Sequence, residues 1–171
     1  ARLPEALRSF SQRDAPAEDL QLFNTHVFAG AKSLLREGMA EALVKSVLVA
    51  FLHHYRYDRT GYPKLMATRE QNLLTRIVAV ADFYDNATTV RDPSRKARDA
   101  ESALRSLLDG AGTEFDPLVV KAFVNLLGLY PLGCMVRLDS GEVATVMAPP
   151  SNPKFLDRPT VRILSSGPEA A

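Results

Sequence analysis

The sequence is poor in the features that mark secreted and membrane-spanning proteins. It has a single cysteine, Cys134, which excludes an intramolecular disulfide framework and favours a reducing compartment. It also lacks an apolar run close to the roughly 20 residues that cross a bilayer, and its start shows no signal-peptide pattern. We therefore expect a cytoplasmic location and no membrane contact from this chain.

A large excess of one charge is lacking too. The 21 lysines and arginines stand against 20 aspartates and glutamates, which gives a net charge of +1 at pH 7. A protein that binds polymeric nucleic acid neutralises many phosphates and is usually much more basic, so that class is excluded. With 171 residues, 46% of them hydrophobic, the chain has the size of one domain with a core and a small appendage.

Most of the sequence before Gly128 has apolar residues spaced as in α-helices. Apolar spacing, acidic residues and prolines at helix starts, and glycines at helix ends predict about five helices, over residues 17–35, 42–54, 70–86, 95–108 and 116–127. After Gly128 the apolar period changes to two, which predicts a hairpin near 135–138 and 143–146 and a third strand over 160–164. The expected fold is mainly α, with a helical domain over 1–128 and a small β extension over 129–171.

Histidine is scarce, and its placement is informative. His26 falls on the first predicted helix, whereas His53 and His54 are neighbours in the last turn of the second. Adjacent helical residues point about 100° apart, so the pair can serve two nearby ions or can bind one ion from a distorted last turn. The alternative is a structural role, with one buried imidazole capping the helix C-terminus and the other solvated.

Asp82 stands within the apolar stretch 77–85, where an unpaired carboxylate would carry a large desolvation cost. A metal ion held with the three histidines would balance its charge, and mixed nitrogen and oxygen ligands suit iron, manganese or zinc. The alternative is a helix-end carboxylate bonded to backbone or to an arginine.

One segment resembles the signature of the HD-GYP family of cyclic di-GMP phosphodiesterases, through His53, His54, Asp58, Gly61, Tyr62 and Pro63. The stretch 77–85 is similar to that family's helix with a metal-binding aspartate, and 110–117 is similar to the loop that follows. Residues 130–133 and the hairpin after them resemble the family's C-terminal extension. The resemblance covers nearly the whole chain from about Leu3 and implies an HD-superfamily helical bundle.

The resemblance also implies roles for individual residues. The positions that match metal ligands are His26, His53, His54 and Asp82. The turn that shapes the nucleotide pocket matches Gly61, Tyr62 and Pro63, and the basic residues that hold substrate phosphates match Arg91, Arg95 and Lys96. The implied cofactors are divalent ions, iron or manganese before zinc. Read from the sequence alone, without the resemblance, the favoured interpretation of Arg91 is a solvated loop residue.

Several positions depart from the family pattern. The chain contains no His-Asp dipeptide, so the HD dyad and the lysine after it are missing, and no catalytic residue is assigned. Residues 2–7 resemble the segment that follows that dyad. Tyr55 stands where the family usually has glutamate, Arg59 where it has glycine, and Val27 where proline commonly follows the histidine. Arg59 is bulky for a tight turn, so its loop is expected to differ.

These observations favour a metal-dependent phosphodiesterase domain that hydrolyses cyclic di-GMP to pGpG or GMP, incomplete in this chain and weakly active or inactive alone. The alternative is a degenerate module that senses cyclic di-GMP or docks a partner without cleaving it, and a third possibility is a regulatory helical module with structural histidines. The expected partners are a cyclic dinucleotide, an upstream receiver or other sensory domain, and a second copy in a homodimer, all in bacterial signal transduction.

Overall fold

A computed structural model of the chain describes residues 17–36, 41–64, 71–90, 96–152 and 154–165. Within these residues six helices are followed by three strands, and the mainly α class predicted from the sequence is confirmed. The helices are α1 (Ala17–Asn24), α2 (His26–Leu35), α3 (Glu41–Leu52), α4 (Leu73–Thr88), α5 (Ala100–Asp109) and α6 (Pro117–Leu127). The strands are β1 (Met135–Arg137), β2 (Val143–Ala148) and β3 (Thr160–Ser165).

The helix predicted over 17–35 is interrupted at Thr25, between α1 and α2. The Thr25 hydroxyl donates to the carbonyl of Leu22 at 2.6 Å, and the Thr25 amide reaches the same oxygen at 3.1 Å, three residues back rather than four. Side-chain bonds to carbonyls of the preceding turn commonly bend or break a helix. His26 thereby becomes the first residue of α2.

Two other predicted starts can be compared with the structure. The helix predicted from residue 95 begins only at Ala100, because the Asp99 side chain accepts the Ser102 amide at 2.8 Å and caps the helix there. The start predicted at 116–117 is confirmed, since Asp116 caps α6 by accepting the amides of Leu118 and Val119.

The core is formed by the second half of the helical region. Its fully or nearly buried members come from α4, α5, the loop after α5, and α6: Val80, Leu104, Leu107, Phe115, Val120 and Val124. The helix predicted over 70–86 carries apolar residues around most of its circumference, which predicts a central, buried element, but Leu73, Leu74 and Ile77 are 62%, 46% and 44% exposed. One face of α4 is thus part of the core, and the other is uncovered by the described part of the chain.

The C-terminal strands form an antiparallel sheet in the order β1-β2-β3. Val136 pairs with Ala144 across the hairpin, whose turn contains Gly141 at φ +87. Ala144 and Val146 on β2 are buried, as period-two alternation requires. Leu129, which precedes β1, and Leu156, which lies between β2 and β3, pack against the helical core. The division of the chain at residues 128 and 129 stays a prediction.

Candidate metal and nucleotide site

The histidine pair lies in a tight turn that follows α3, not in its last helical turn as predicted. The His53 amide still bonds to the Val49 carbonyl four residues back, at 3.0 Å. The Tyr55 amide bonds to Leu52 only three residues back, at 2.9 Å. This tightening brings both imidazoles to the same side of the chain. Of the two arrangements left open by the sequence, the structure has the distorted one.

The turn places both rings against His26, at the start of α2. The potential ligand atoms of these three half-buried histidines all lie within 4.8 Å of one another. The Nε2 atoms of His26 and His53 are 3.3 Å apart, and the ring of His54 stands edge-on to that of His26 with centroids separated by 5.1 Å. Three residues that are distant in sequence therefore converge on one point.

The backbone determines which nitrogens face that point. The Nδ1 atom of His26 lies 2.7 Å from the Phe23 carbonyl oxygen, and that of His53 lies 3.1 Å from the Ala50 carbonyl oxygen. A carbonyl oxygen only accepts, so each Nδ1 carries the proton. In the neutral rings both Nε2 atoms then present lone pairs to each other. Two acceptors at this distance repel each other unless a cation lies between them, either a metal ion or the proton of a charged imidazolium.

His54 has a different environment from its neighbour. Its ring lies 4.7 Å from that of Tyr62 and inclined to it by 33°. Burial, with the nearby charges of His53 and His26, lowers the pKa of His54 to about 3. Burial also lowers the pKa of His53, although the negative charge of Asp82 opposes this effect. Neutral imidazole is the form that binds metal ions.

Gly61 closes the turn against the histidine backbone. It has φ +83, and a Cβ atom at this position would lie 2.4 Å from the His54 carbonyl oxygen, closer than any side chain tolerates. The Tyr62 amide donates to that same oxygen at 3.3 Å. Arg59 takes the left-handed conformation at φ 69, which is how the turn accommodates a residue where the family has glycine. The predicted pocket turn therefore lies directly beside His54.

The loop between α5 and α6 is hydrogen-bonded to the turn over residues 53–62 that carries His53 and His54. The amides of Tyr57 and Asp58 donate to the carbonyls of Glu114 and Thr113 at 3.1 and 2.8 Å. The Glu114 carboxylate also pairs with Arg56 at 3.1 Å, but this pair is largely exposed and contributes little. The two backbone bonds therefore fix the turn to the loop.

Arg76 on α4 adds a link beneath the turn. Its guanidinium donates to the buried Asp116 carboxylate at 2.9 Å and lies over the Tyr57 ring, 5.7 Å from the centroid. One arginine thus connects α4, the turn over residues 53–62 that carries the histidines, and the capped start of α6. None of these contacts is visible in the sequence periodicity, since the partners are separated by long stretches of chain.

Asp82 stands close to this group but outside it. The half-buried carboxylate accepts a hydrogen bond from Asn86 at 2.9 Å and acts electrostatically on His53. It does not belong to the group of atoms that lie within 4.8 Å of one another. The Asn86 partner was missed at the sequence level, although its position one helical turn after Asp82 is a readable signal.

Asp82 and His53 border a cleft of about 880 Å³ between α3 and α4. Its walls are formed by the apolar side chains of Val49, Ala50, Leu74 and Val78, and its polar margin includes Lys45 and Ser46. Neither Lys45 nor Ser46 was singled out from the sequence. Lys45 precedes Val49 and His53 at intervals of four residues, which is the signal that places all three along one side of α3.

The predicted phosphate-binding residues are only partly within the described chain. Lys96 is exposed in the segment that precedes α5, and Arg91 and Arg95 lie outside the described residues. Their role stays a prediction.

The three histidines fit a divalent ion. Two nitrogens bound at about 2.0–2.1 Å in a tetrahedral site are roughly 3.3–3.4 Å apart, and the Nε2 atoms of His26 and His53 have a separation of 3.3 Å. The Nδ1–H bonds to backbone carbonyls are the outer contacts that commonly orient metal-binding imidazoles. Imidazole nitrogen suits iron and zinc alike, so the identity of the ion stays a prediction.

Comparison with known proteins supports the family resemblance found in the sequence. Residues 1–119 match the family model described as the HD domain, a metal-dependent phosphohydrolase fold. A cyclic di-GMP phosphodiesterase of Pseudomonas aeruginosa is 42% identical over 126 residues, which cover 74% of this chain and 30% of that protein. A cyclic di-GMP phosphodiesterase of Thermotoga maritima is 33% identical over 109 residues, covering 64% of this chain and 29% of that protein.

A third relative differs in its substrate. The 3'3'-cGAMP-specific phosphodiesterase 3 of Vibrio cholerae is 35% identical over 83 residues, which cover 48% of this chain and 18% of that protein. The chain thus spans less than a third of the length of these relatives.

None of its described helices has the length and apolar character needed to cross a membrane. The match to the family model extends over most of the sequence, and the chain belongs to the HD domain family, to its HD-GYP type.

Proposed function

We propose that this chain is part of a metal-dependent phosphodiesterase domain that hydrolyses cyclic di-GMP to pGpG or GMP. The observation that supports it most strongly is the pair of Nε2 lone pairs, on His26 and His53, that face each other at 3.3 Å. Such a pair is unfavourable unless a cation lies between the two atoms, and His54 and Asp82 stand near the same point. The names of the relatives support a cyclic dinucleotide as the substrate.

A bound divalent ion would lower the pKa of a coordinated water and would neutralise charge on the phosphate. The chain's own residues prepare that chemistry. His26 and His53 present Nε2 because their Nδ1 protons are held by carbonyls, and His54 stays neutral because it is buried. Tyr62, beside His54, offers an aromatic face to a nucleobase, and Lys96 with Arg91 and Arg95 is proposed to hold the phosphates.

The complete domain is proposed to need more than these residues. Three histidines and one aspartate are enough for one ion, whereas the family resemblance implies a larger set that includes an HD dyad. We therefore expect weak or absent hydrolysis from the isolated chain. An upstream receiver or sensory domain, a homodimer, the division at residue 128 and a cytoplasmic location belong to the same proposal.

The proposal is tested by loading the purified chain with Mn²⁺ or Fe²⁺ and measuring its metal content after desalting. We expect about one ion per chain, and loss of that ion in His26→Ala and His53→Ala. Lys121→Ala, which changes an exposed residue of α6, is the control and should retain the ion. A wild-type chain that holds no stoichiometric ion would contradict the proposed metal site.

The same samples are then incubated with cyclic di-GMP, and the products are separated by chromatography. Slow formation of pGpG that is lost in His54→Ala would show that the HD dyad is dispensable for some turnover.

A second candidate is a non-catalytic sensor of cyclic di-GMP. It is favoured by Tyr55, which is 5% exposed where the family usually has glutamate, so the chain offers no carboxylate there. Calorimetry separates the two functions. Nucleotide binding that persists in a chelator, with the dinucleotide recovered intact, would support the sensor and contradict the enzyme.

A further inference from the structure

The turn that carries the histidine pair is attached to α4 by side chains, in addition to its covalent connection to α3. Arg76 on α4 lies over the ring of Tyr57, with the guanidinium carbon 5.7 Å from the ring centroid. Gln71, shortly before α4, donates from its Nε2 atom to the carbonyl oxygen of Tyr55. Tyr55 follows His54 directly in the chain. The position of the histidine pair therefore depends on contacts with α4.

Arg76 also contacts the loop to which this turn is hydrogen-bonded. Its guanidinium donates to the Asp116 carboxylate at 2.9 Å. Asp116 comes two residues after Glu114, whose carbonyl oxygen accepts the Tyr57 amide at 3.1 Å. One side chain thus touches both partners of the backbone bond that joins the turn to the loop. The Asp116 carboxylate is buried and also accepts the Leu118 amide, so Arg76 is bound to a fixed group.

The same helix carries the candidate ligand outside the histidine cluster. Asp82 follows Arg76 by six residues, which is nearly two turns or about 9 Å along α4. The helix itself is held in the core through Val80, and Asp82 borders the same cleft as His53. The contacts of Arg76 therefore determine where the histidine turn lies relative to Asp82.

We propose that Arg76 is a positioning residue for the metal site, because it holds the turn of His53 and His54 at a fixed distance from Asp82. The inference rests on the proposed function, since it assumes that these side chains bind an ion. Metal ions accept only a narrow range of ligand distances, so a turn that is free to shift binds the ion less tightly. Loss of a group that orients metal ligands commonly reduces metal affinity by about 10–100-fold.

The test measures Co²⁺ binding to the purified chain and to two variants of Arg76. Arg76→Met keeps a long side chain without the charge, and it should bind Co²⁺ about tenfold more weakly than the wild type. The visible absorption of the bound Co²⁺ should also change, because it depends on the number and geometry of the ligands. Arg76→Lys restores a positive charge opposite Asp116 and should recover part of the affinity.

A core variant separates positioning from a loss of stability. Val124→Ala removes two methyl groups from a fully buried residue of α6 and should destabilise the fold. Its Co²⁺ affinity and absorption should nevertheless equal those of the wild type. If Val124→Ala weakens Co²⁺ binding as much as Arg76→Met does, Arg76 acts only through stability and the inference is overturned.

Tyr57→Leu decides the question if Arg76→Met does not fold. The Tyr57 ring is exposed, so this variant should keep the melting temperature of the metal-free wild type. Because it removes the ring that Arg76 covers, it should bind Co²⁺ about threefold more weakly. A Tyr57→Leu chain with wild-type affinity would contradict the role of the contact between the turn and α4.

A double variant tests whether Arg76 acts on the distance to Asp82. The three histidines remain in Asp82→Asn, and binding of Co²⁺ to this variant gives a second reference. If the inference is right, adding Arg76→Met to Asp82→Asn should weaken Co²⁺ binding by less than about twofold further. A full tenfold loss in both backgrounds would show that Arg76 does not set this distance and would overturn the inference.

The remaining outcomes distinguish this inference from the proposed function. If the wild type binds Co²⁺ and Arg76→Met binds it equally tightly with the same absorption, the positioning role is wrong and the proposed metal site stands. If the wild type binds no Co²⁺, the positioning role and the proposed function are both overturned.

Discussion

The two halves of the helical region are stabilised differently. The half formed by α4, α5 and α6 has a cluster of fully buried residues, including Leu104 and Val80, and its helix starts are capped by side chains. The half formed by α2 and α3 buries Val27 and Ala31, while Phe28, Leu35 and Leu48 are 54%, 50% and 41% exposed. The histidines belong to the half formed by α2 and α3, at its boundary with the half formed by α4, α5 and α6.

This difference has a physical consequence. A ligand that binds only the folded state stabilises it, and we expect the half with fewer buried side chains to depend more on such a ligand than the half with the buried core. The three histidines connect α2 to the turn after α3, so a bound ion would act as a cross-link within the less buried half.

Leu104→Ala should lower the free energy of unfolding by about 2–5 kcal/mol, because it removes a fully buried side chain and leaves a cavity. Leu48→Ala makes the same chemical change on α3, where the side chain is 41% exposed, and it should cost under about 1 kcal/mol. Urea unfolding followed by circular dichroism measures both. Equal losses would show that the two halves are equally well packed.

Addition of Mn²⁺ should raise the melting temperature of the wild type and leave that of His26→Ala unchanged. At a free ion concentration a hundred times Kd, the stabilisation is about 2.7 kcal/mol. Hydrogen exchange locates the effect, and amides of α2 and α3 should gain more protection than those of α5 and α6. Uniform protection of all helices would contradict the contrast between the halves.

Asp116→Ala should cost roughly 2 kcal/mol, because α6 loses its cap and Arg76 loses a buried partner. Asp116→Asn keeps the capping oxygen and should cost less. Burial alone would raise the pKa of Asp116, but hydrogen bonds from Leu118, Arg76 and Val119 outweigh it and lower the pKa.

The pH dependence of this contribution follows from the lowered pKa. The stabilisation is present above the unfolded pKa, about 3.9, and is lost as the pH falls through the lower folded value. The stability difference between wild type and Asp116→Asn, measured by urea unfolding, should therefore be full at neutral pH and shrink below about pH 4. A difference that does not depend on pH would contradict the role of the carboxylate charge.

Arg59→Gly should raise the free energy of unfolding by about 0.5–1 kcal/mol. The residue has φ 69, where a side chain is strained and glycine is not. Part of the gain is offset because glycine is more flexible in the unfolded chain. Thermal unfolding of this variant beside Arg56→Gly, whose backbone is not in the left-handed region, measures the effect. A loss of stability in Arg59→Gly would show that the turn is unstrained.

The sequence predicted those parts of the molecule that local signals control. Asp116 and Pro117 marked the start of α6, and the change of period after Gly128 marked the sheet. The start of α5 was wrong because the capping role of Asp99 was overlooked, although it is also a local signal. The family resemblance brought His26 together with the histidine pair, which no periodicity could have done.

What the sequence did not show depends on contacts between distant residues. The opposed Nε2 atoms arise from a bend at Thr25 and a tight turn after Leu52, each set by hydrogen bonds that periodicity does not encode. The bonds that join the histidine turn to Thr113 and Glu114, and the bridge from Arg76 to Asp116, likewise appear only after folding. The cleft between α3 and α4 was missed because periodicity shows which residues of α4 are apolar but not which of them a neighbouring element covers in the described part of the chain.

Gly61 has a consequence for how the proposed activity would be lost in evolution. The histidine side chains could be replaced one at a time without moving the backbone, so catalysis is easily lost. Gly61 is different, because any other residue would collide with the carbonyl oxygen of His54 and force the turn to reform. Among copies of this domain that no longer cleave their ligand, we expect this glycine to persist longer than the histidines beside it.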